Sequence, residues 1–344
     1  MNYNNNILNI ERVKETAINH VMLSIVIPVF NEELVIPEFQ KRITTVLKQN
    51  NINAEILYIN DGSKDGTASI ILELRKIDPR VALINLSRNF GKEIAMTAGL
   101  NYSKGSAVVI IDVDLQDPPE LIPELIQHWQ EGYDVVYAKR KSRKGETCLK
   151  KTTSYLFYRL IRKLNRVDIP FDAGDFRLLS RRAVEAINSL PEQHRFMKGL
   201  FAWIGFPQIA VEYQRDPRFA GTSKWNYWDL WMLAIEGITS FTIAPLKIAS
   251  YIGFTSALGA FIYAIEIVLK TLTLGDPIPG YPTLITIILF LGGLQLMTLG
   301  IIGEYLGRMF NESKRRPLYL IKDHFVSNTQ EFKSETRNDI NPHT

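Results

Sequence analysis

The stretch AVVIIDVDLQDP, residues 107–118, passes from an apolar, β-branched run directly into three carboxylates and an amide. Such a run is typical of a strand buried on both faces. The same change from apolar to polar residues follows Leu23–Val29 and Ala54–Asn60, and Val81–Leu86 and Asp134–Ala138 continue the series with helix-length segments between them. We therefore predict an α/β domain whose mostly parallel sheet is covered by helices on both faces. Ligands of such domains bind at the carboxyl ends of the strands.

The composition limits the classes of protein to which the chain can belong. With 344 residues, of which 46% are hydrophobic and 22% charged, it is unlike a collagen or a wholly disordered protein. The net charge of +4 gives no support to nucleic-acid binding. The single cysteine, Cys148, cannot form an intrachain disulfide, and the five histidines lack the spacing of metal ligands. P-loop, dinucleotide-binding and nucleophile-elbow motifs are absent from the sequence.

Two apolar runs in the last third of the chain, Ile248–Ile265 and Tyr281–Gly303, carry no charged residue. Each is near the length that crosses a bilayer, so we predict spanning helices at about 248–270 and 282–303. A Trp- and Tyr-rich segment, 225–245, precedes them and is predicted to lie at the membrane interface. Lys and Arg flank the outer ends of the two predicted spans and are missing from the connection, 271–281, which predicts that the catalytic domain and both termini lie on the cytoplasmic side.

The predicted organisation is that of a multi-pass protein of the inner (cytoplasmic) membrane. Its parts are an N-terminal extension (1–22), a catalytic domain (23–224), an amphipathic interfacial helix (225–245), a transmembrane hairpin (246–306) and a basic segment with a polar tail (307–344).

The acidic end of the opening stretch has two interpretations, which the residues alone leave open. Asp112, Asp114 and Gln116 are oxygen donors that suit a hard divalent cation bridging substrate phosphates. Alternatively, the segment is an acidic turn in which Asp117 is the N-cap of a helix beginning near Pro119.

Two other loops follow predicted strands. Residues 60–63, NDGS, have the composition of a turn, but Asp61 would lie in the same crevice as the residues that follow the first strand. After the third strand, Arg88 or Lys92 would meet a diphosphate, or would belong to a solvated loop before a helix.

The segment 139–166 is strongly basic, with eleven Lys and Arg residues against Glu146 alone. A solvated surface normally mixes charges of both signs, so this segment favours contact with phosphate or with an anionic leaflet.

Asp175 lies in a segment without clear periodicity, and the residues alone favour an ion pair with Arg177 or a capping role for a helix from Ser180 onward. Further cations follow at Arg195, Lys198 and Lys224, where they would bind an anion or snorkel at the membrane.

Taken together, these motifs resemble those of one family: the inverting, family-two glycosyltransferases of GT-A fold that act on polyisoprenyl phosphates. Within it the chain is similar to the two-span branch that transfers glucose to bactoprenol (undecaprenyl) phosphate. The matching stretches are residues 26–33, 59–65, 88–93, 112–118, 174–178, 196–199, 233–241 and 303–308. Asn60 stands where the wider family commonly has a second Asp.

The resemblance implies a role for each group of site residues. The sugar nucleotide would be held by Pro28, Asn31, Glu32, Asp61, Lys92 and Asp112, and Mg2+ or Mn2+ by Asp112, Asp114 and Gln116. Asp175 matches the catalytic carboxylate, which reverses the preference that its local sequence gives. The acceptor phosphate or the leaving diphosphate would meet Lys139, Arg140, Arg143, Arg177, Arg195, Lys198 and Lys224.

The expected reaction transfers a sugar, glucose by resemblance, from a UDP-sugar to undecaprenyl phosphate for cell-surface glycan modification such as that of the O-antigen of lipopolysaccharide. The expected partners are the lipid bilayer, a second copy in a homo-oligomer (a tetramer by resemblance) and a flippase, with no nucleic acid. Two alternatives stay open: a processive polysaccharide synthase, and a sugar-nucleotide-binding membrane scaffold without catalysis.

Overall fold

The computed structural model describes residues 23–141, 173–193, 195–214, 244–274 and 280–327. These residues divide into two compact units. One contains the described residues up to 214 together with 317–327, and the other contains 244–274 and 280–316. The predicted N-terminal extension, most of the basic segment and most of the predicted interfacial helix lie outside the described residues.

The first unit is built on a sheet of eight strands. In chain order they are β1 (Leu23–Val29), β2 (Ala54–Asn60), β3 (Val81–Leu86), β4 (Ala107–Ile110), β5 (Val135–Arg140), β6 (Ala173–Ser180), β7 (Gln208–Tyr213) and β8 (Ile321–Phe325). The order across the sheet is β7-β5-β6-β4-β1-β2-β3-β8. β4, β1, β2 and β3 run parallel, as do β5 and β7, whereas β6 and β8 are antiparallel to their neighbours.

Helices connect the strands. They are α1 (Ile36–Gln49), α2 (Thr67–Ile77), α3 (Lys92–Tyr102), α4 (Ile122–Gln130), α5 (Arg181–Asn188) and α6 (Met197–Trp203), with a 3-10 turn at Pro119–Leu121. The helix α3 lies directly on β1, since a Cβ added at Gly99 would be 2.1 Å from Cγ1 of Val26. Glycine at this position therefore permits the close approach that fixes α3, and with it the side chain at the start of α3, against the sheet.

The predicted α/β architecture is confirmed, because every residue of β1, β2, β3 and β4 is buried, as parallel strands covered on both faces require. The predicted bounds of the first three strands agree with the structure. The strand β6 was missed, although it lies between β4 and β5. Its sequence, AGDFRLLS, places Gly174, Asp175 and Arg177 in a strand buried on both faces, which removes the alternation that reveals half-exposed strands.

The strand β8 corrects the predicted domain boundary, which ended the catalytic domain at Lys224. After the hairpin, residues 321–325 pair antiparallel with β3. Ser87 N donates to Leu320 O at 2.9 Å, and Asn101 Nδ2 donates to Tyr319 Oη at 3.0 Å. This segment is thus an edge strand of the sheet in the first unit.

The second unit contains two long helices, α7 (Ala244–Leu274) and α8 (Tyr281–Ser313). Within them, Pro245–Ile267 and Phe290–Ser313 are long and apolar enough to cross a membrane, by length and composition. The second helix continues ten residues beyond the predicted end at 303.

Removal of β8 is expected to destabilise the catalytic domain. A chain that ends after Arg316 loses the ladder to β3, whereas one that ends after Ser327 keeps it. At roughly 1 kcal/mol per lost hydrogen bond, the shorter chain should unfold about 5–10 °C lower in a thermal scan in detergent. Equal midpoints for the two truncations would show that β8 does not contribute to the stability of the sheet.

Candidate active site

The loops after β1 and β2 are joined by reciprocal hydrogen bonds. Asn31, with φ of 54°, donates its backbone N–H to Ser63 Oγ at 2.9 Å, and its Oδ1 accepts from Lys64 N at 2.9 Å. Glu32 N donates to Thr67 Oγ1 at 2.9 Å. Pro28, within β1, pairs with Ile59 of β2. Three of the residues predicted to hold the nucleotide, Pro28, Asn31 and Glu32, thus lie at the carboxyl end of β1, beside that of β2.

Asp61 fixes the loop that precedes α3. Its two carboxylate oxygens accept from Phe90 N at 2.7 Å and from Gly91 N at 2.9 Å. Burial raises the pKa of Asp61 above its ordinary value. The two amide donors and Arg88 act in the opposite direction, because they favour the ionised carboxylate, but burial is the larger effect. A Cβ at Gly62 would be 2.5 Å from the Arg88 carbonyl carbon, so this approach needs glycine. The turn at residues 60–63 therefore also shapes the crevice.

Lys92, the first residue of α3, joins the two carboxylates to which the sequence assigned metal binding and catalysis. Its Nζ lies 2.7 Å from both Oδ1 and Oδ2 of Asp112 and 2.5 Å from Oδ2 of Asp175. Asp112 follows β4 and Asp175 lies on β6, and these strands are neighbours with Ile110 opposite Arg177. Three elements that are distant in sequence therefore converge on one ammonium group.

The environment of Asp175 is strongly cationic. Burial of its carboxylate opposes ionisation, but Lys92, Lys198 and Arg177 together hold its pKa well below the usual range. Its second oxygen, Oδ1, is buried and accepts no hydrogen bond from the residues that the structure describes. The site thus contains an ionised carboxylate with one oxygen held by Lys92 and the other without a described donor.

The Asp175 carboxylate forms neither a direct ion pair with Arg177 nor a helix cap, the two structural roles that the local sequence suggested, although the charge of Arg177 lowers its pKa. The Arg177 guanidinium donates to the backbone oxygens of Gly174 at 2.7 Å and of Asp175 at 3.4 Å, and the carboxylate pairs with Lys92 instead. The N-cap of α5 is Ser180, whose Oγ accepts from Ala183 N at 3.2 Å. A helix from Ser180 onward was predicted correctly, but Asp175 does not cap it.

Arg177 is buried and stabilises the backbone of β6, so it is not exposed to bind a phosphate. It is 4% exposed, and its guanidinium lies 3.8 Å from the centroid of the Phe201 ring. Burial lowers its pKa to about 10 despite the nearby Asp175 and Glu93. The expectation that Arg177 meets the acceptor phosphate is therefore corrected, because the side chain is occupied in holding the β6 backbone.

Arg195 has a similar position inside the fold. It is 6% exposed and donates to the backbone oxygens of Ile187 at 3.2 Å and Leu190 at 2.7 Å, at the end of α5. These contacts correct its assignment to the acceptor phosphate. Lys198, in contrast, acts electrostatically on Asp175. Arg143 and Lys224 lie outside the described residues.

The donor set of the acidic motif fits a divalent cation. Asp112, Asp114 and Gln116 are each partly exposed after β4, and Leu115 between them has φ of 59°. Asp114 Oδ1 accepts from Gln116 N at 3.1 Å. Among the described residues no group of three His, Cys, Asp or Glu could hold a metal ion. The chain thus offers two carboxylates and an amide, which suits an ion that completes its coordination with water and phosphate oxygens.

Asp117, at the end of the acidic motif, is buried and hydrogen-bonded to a tyrosine of β7. It is 2% exposed and accepts a hydrogen bond from Tyr213 Oη, which in turn accepts from Arg140 Nε at 3.4 Å. The N-cap of the 3-10 turn is Pro118, so the predicted capping role of Asp117 is wrong. Burial acts against the charge of Arg140, but Tyr213, Asp117 and Asp112 raise its pKa. At the surface, Nζ of Lys139 lies 3.8 Å from Oε1 of Glu212.

Glu93 is a site residue that sequence reasoning left without a role. Its Oε2 accepts from Met197 N, at the start of α6, at 3.1 Å. Burial of the carboxylate, together with the nearby Asp175, raises its pKa to about 8. The sequence did contain a signal for Glu93, since it is an acidic residue directly beside Lys92 in the matching stretch 88–93. Glu93 links α3 to the helix that carries Lys198.

The sheet, the crevice at its strand ends and the acidic motif after β4 define a glycosyltransferase of GT-A-like fold. The profile of glycosyl transferase family 2 matches residues 24–187, and that of the GtrB C-terminal hairpin matches residues 244–309. The chain belongs to glycosyltransferase family 2.

Three relatives illustrate the extent of the similarity. An uncharacterized glycosyltransferase of Synechocystis sp. is 52% identical over 88% of this chain and 95% of its own length. Another, of Bacillus subtilis, is 47% identical over 92% of this chain and 98% of its own length. The bactoprenol glucosyl transferase of Shigella phage SfV is 50% identical over 88% of this chain and 98% of its own length.

The raised pKa of Glu93 predicts a pH-dependent loss of stability. The folded protein holds this proton up to about pH 8, whereas the unfolded chain releases it near the ordinary value of 4.5. Ionisation of Glu93 therefore destabilises the fold as pH rises through this window. We expect Glu93→Gln, which retains an acceptor for Met197 N, to reduce the fall in melting temperature between pH 5 and 8.5.

The matched control is Glu73→Gln, an acid-to-amide change at an exposed position of α2. It should leave the dependence of melting temperature on pH as in the wild type. Parallel curves for wild type and Glu93→Gln would contradict the assignment.

Proposed function

We propose that the protein transfers glucose from UDP-glucose to a polyprenyl phosphate of the bactoprenol type, with inversion at the anomeric carbon. The observation that carries this proposal is the 50% identity to bactoprenol glucosyl transferases across 97–98% of their length. The matched C-terminal hairpin supports a membrane-bound acceptor. The described site contributes the acidic motif after β4 and the cations around Asp175, which would serve the donor and the acceptor respectively.

On the donor side, Asn31, Glu32 and Asp61 would line the nucleotide site at the ends of β1 and β2. Asp112, Asp114 and Gln116 would hold Mg2+ or Mn2+ against the diphosphate. The ion would supply positive charge to the UDP as the bond to the sugar breaks. Arg140 would add charge to the same diphosphate, since Tyr213 orients its guanidinium beside Asp117 and Asp112.

In the transfer step, an oxygen of the acceptor phosphate attacks the anomeric carbon from the face opposite to the UDP. The new carbon–oxygen bond forms as the bond to UDP breaks, and UDP leaves with the electron pair. The acceptor phosphate is already ionised, so the step needs no strong base. Asp175 suits this requirement: a carboxylate whose pKa lies well below the usual range is a poor proton acceptor. We infer that Asp175 orients the acceptor and stabilises positive charge on the sugar ring.

On the acceptor side, Lys198, whose charge lowers the pKa of Asp175 together with that of Lys92, would meet the acceptor phosphate. Lys139 and the basic segment that follows it would extend this surface toward an anionic leaflet. The proposed location is the inner membrane, with the catalytic domain and both termini on the cytoplasmic side. The tetramer, the flippase partner and the role in O-antigen modification stay predictions.

The proposal is tested with membranes that contain the protein, UDP-[14C]glucose, undecaprenyl phosphate and Mg2+. We expect lipid-soluble label whose mass is that of a polyprenyl-phosphate hexose. Asp175→Asn should reduce the turnover rate by about 10²–10³-fold, with UDP binding retained, because the amide cannot stabilise developing positive charge. Glu73→Gln should turn over as the wild type does.

Three outcomes would contradict parts of the proposal. Full turnover by Asp175→Asn would remove the catalytic assignment of this residue. A lipid product from another sugar nucleotide, but not from UDP-glucose, would correct the donor. Tight UDP binding without turnover of any donor would favour the scaffold alternative, and a water-soluble polymer would favour the processive synthase.

A further inference from the structure

We propose that Lys92 is an internal competitor of the metal ion: its ammonium occupies the Asp112 carboxylate and must leave it, while keeping Asp175, when a metal-bound sugar nucleotide enters. Lys92 is then a positioning residue that links occupancy of the metal site to the orientation of the catalytic carboxylate. This inference rests on the proposed use of a divalent ion at Asp112.

The position of the ammonium is the first argument. Nζ of Lys92 lies 2.7 Å from each oxygen of Asp112, so the ammonium contacts both oxygens of the carboxylate. A divalent ion coordinates a carboxylate oxygen at 2.0–2.6 Å, depending on the metal. An ion on either oxygen would therefore be in close proximity to the ammonium and repelled by it. An ion that enters at Asp112 therefore competes with the ammonium for this carboxylate.

The second argument is that only the side chain of Lys92 is able to move. The backbone before it is held by the two hydrogen bonds from Phe90 N and Gly91 N to Asp61, and α3 is pressed against β1 at Gly99. The Lys92 side chain, however, is 42% exposed and has a flexible four-carbon stem. A small shift of Nζ away from Asp112 is thus possible without displacing the helix.

Asp175 provides the position to which the ammonium moves. Its Oδ2 already lies 2.5 Å from Nζ, and its side chain is 13% exposed, less than the 25% of Asp112. This contact to Asp175 does not involve Asp112, so it can remain when Nζ withdraws from the Asp112 carboxylate. When the metal takes Asp112, Lys92 therefore stays with Asp175 and fixes its carboxylate beside the sugar.

The test is the affinity for Mn2+, measured by electron paramagnetic resonance on the purified full-length protein saturated with UDP. We expect Lys92→Met, which keeps the length of the side chain and removes its charge, to bind Mn2+ about tenfold more tightly than the wild type, which corresponds to about 1.4 kcal/mol. Its turnover should nevertheless fall, since Asp175 is no longer held. Lys76→Met, at an exposed position of α2, should match the wild type in both measurements.

A second variant keeps the test independent of folding. Asp175→Asn weakens the alternative partner of the ammonium, so Lys92 should stay longer on Asp112 and the affinity for Mn2+ should fall several-fold. The inference therefore predicts opposite changes in Mn2+ affinity for Lys92→Met and Asp175→Asn.

Unchanged or weaker Mn2+ binding by a folded Lys92→Met would overturn the inference, as would unchanged binding by Asp175→Asn. Failure of the proposed metal use at Asp112 is distinguishable from both, because the wild type itself would then bind no Mn2+ in the presence of UDP, and failure of the proposed glucose transfer would be seen in the turnover assay alone.

Discussion

The charge balance around Lys92 is the constraint on which the rest of the site depends. Asp112 and Asp175 come from neighbouring strands and would repel each other across the crevice without a cation between them. Glu93 adds a third carboxyl, which the fold accommodates by raising its pKa. The Lys92 ammonium, supplied from the first turn of α3, contacts both Asp112 and Asp175, and Lys198 and Arg177 add positive charge near Asp175.

Packing of α3 and of the loop before it against the sheet fixes the position of the helix that carries this ammonium. Asp61 orders the loop before α3, Gly62 permits the approach of this loop, and Gly99 lets the helix rest on β1. On the opposite side, Arg177 holds the β6 backbone from within the core. The functional side chains are therefore carried by rigid elements, as the precision of group transfer requires.

The sequence was sufficient for the parallel half of the sheet, since the runs of β1, β2 and β3 are mostly apolar and polar loops follow them. It was insufficient for β6 and β8, because their pairing is set by contacts distant along the chain and their sequences mix Gly, Asp, Arg and Lys with apolar residues. Residue types predicted an acidic site with cations around it. They could not tell the buried, supporting Arg177 and Arg195 from an open cation, since burial depends on tertiary packing.

The central claim is that transfer takes place between a metal held at Asp112 and the carboxylate of Asp175. The most direct measurement is a crystal structure of the protein with UDP-glucose and Mn2+, in which anomalous scattering locates the ion. The account predicts the ion directly on Asp112, with the anomeric carbon beside Asp175 and the Lys92 ammonium on Asp175 alone. An ion bound away from Asp112, or a sugar distant from Asp175, would contradict it.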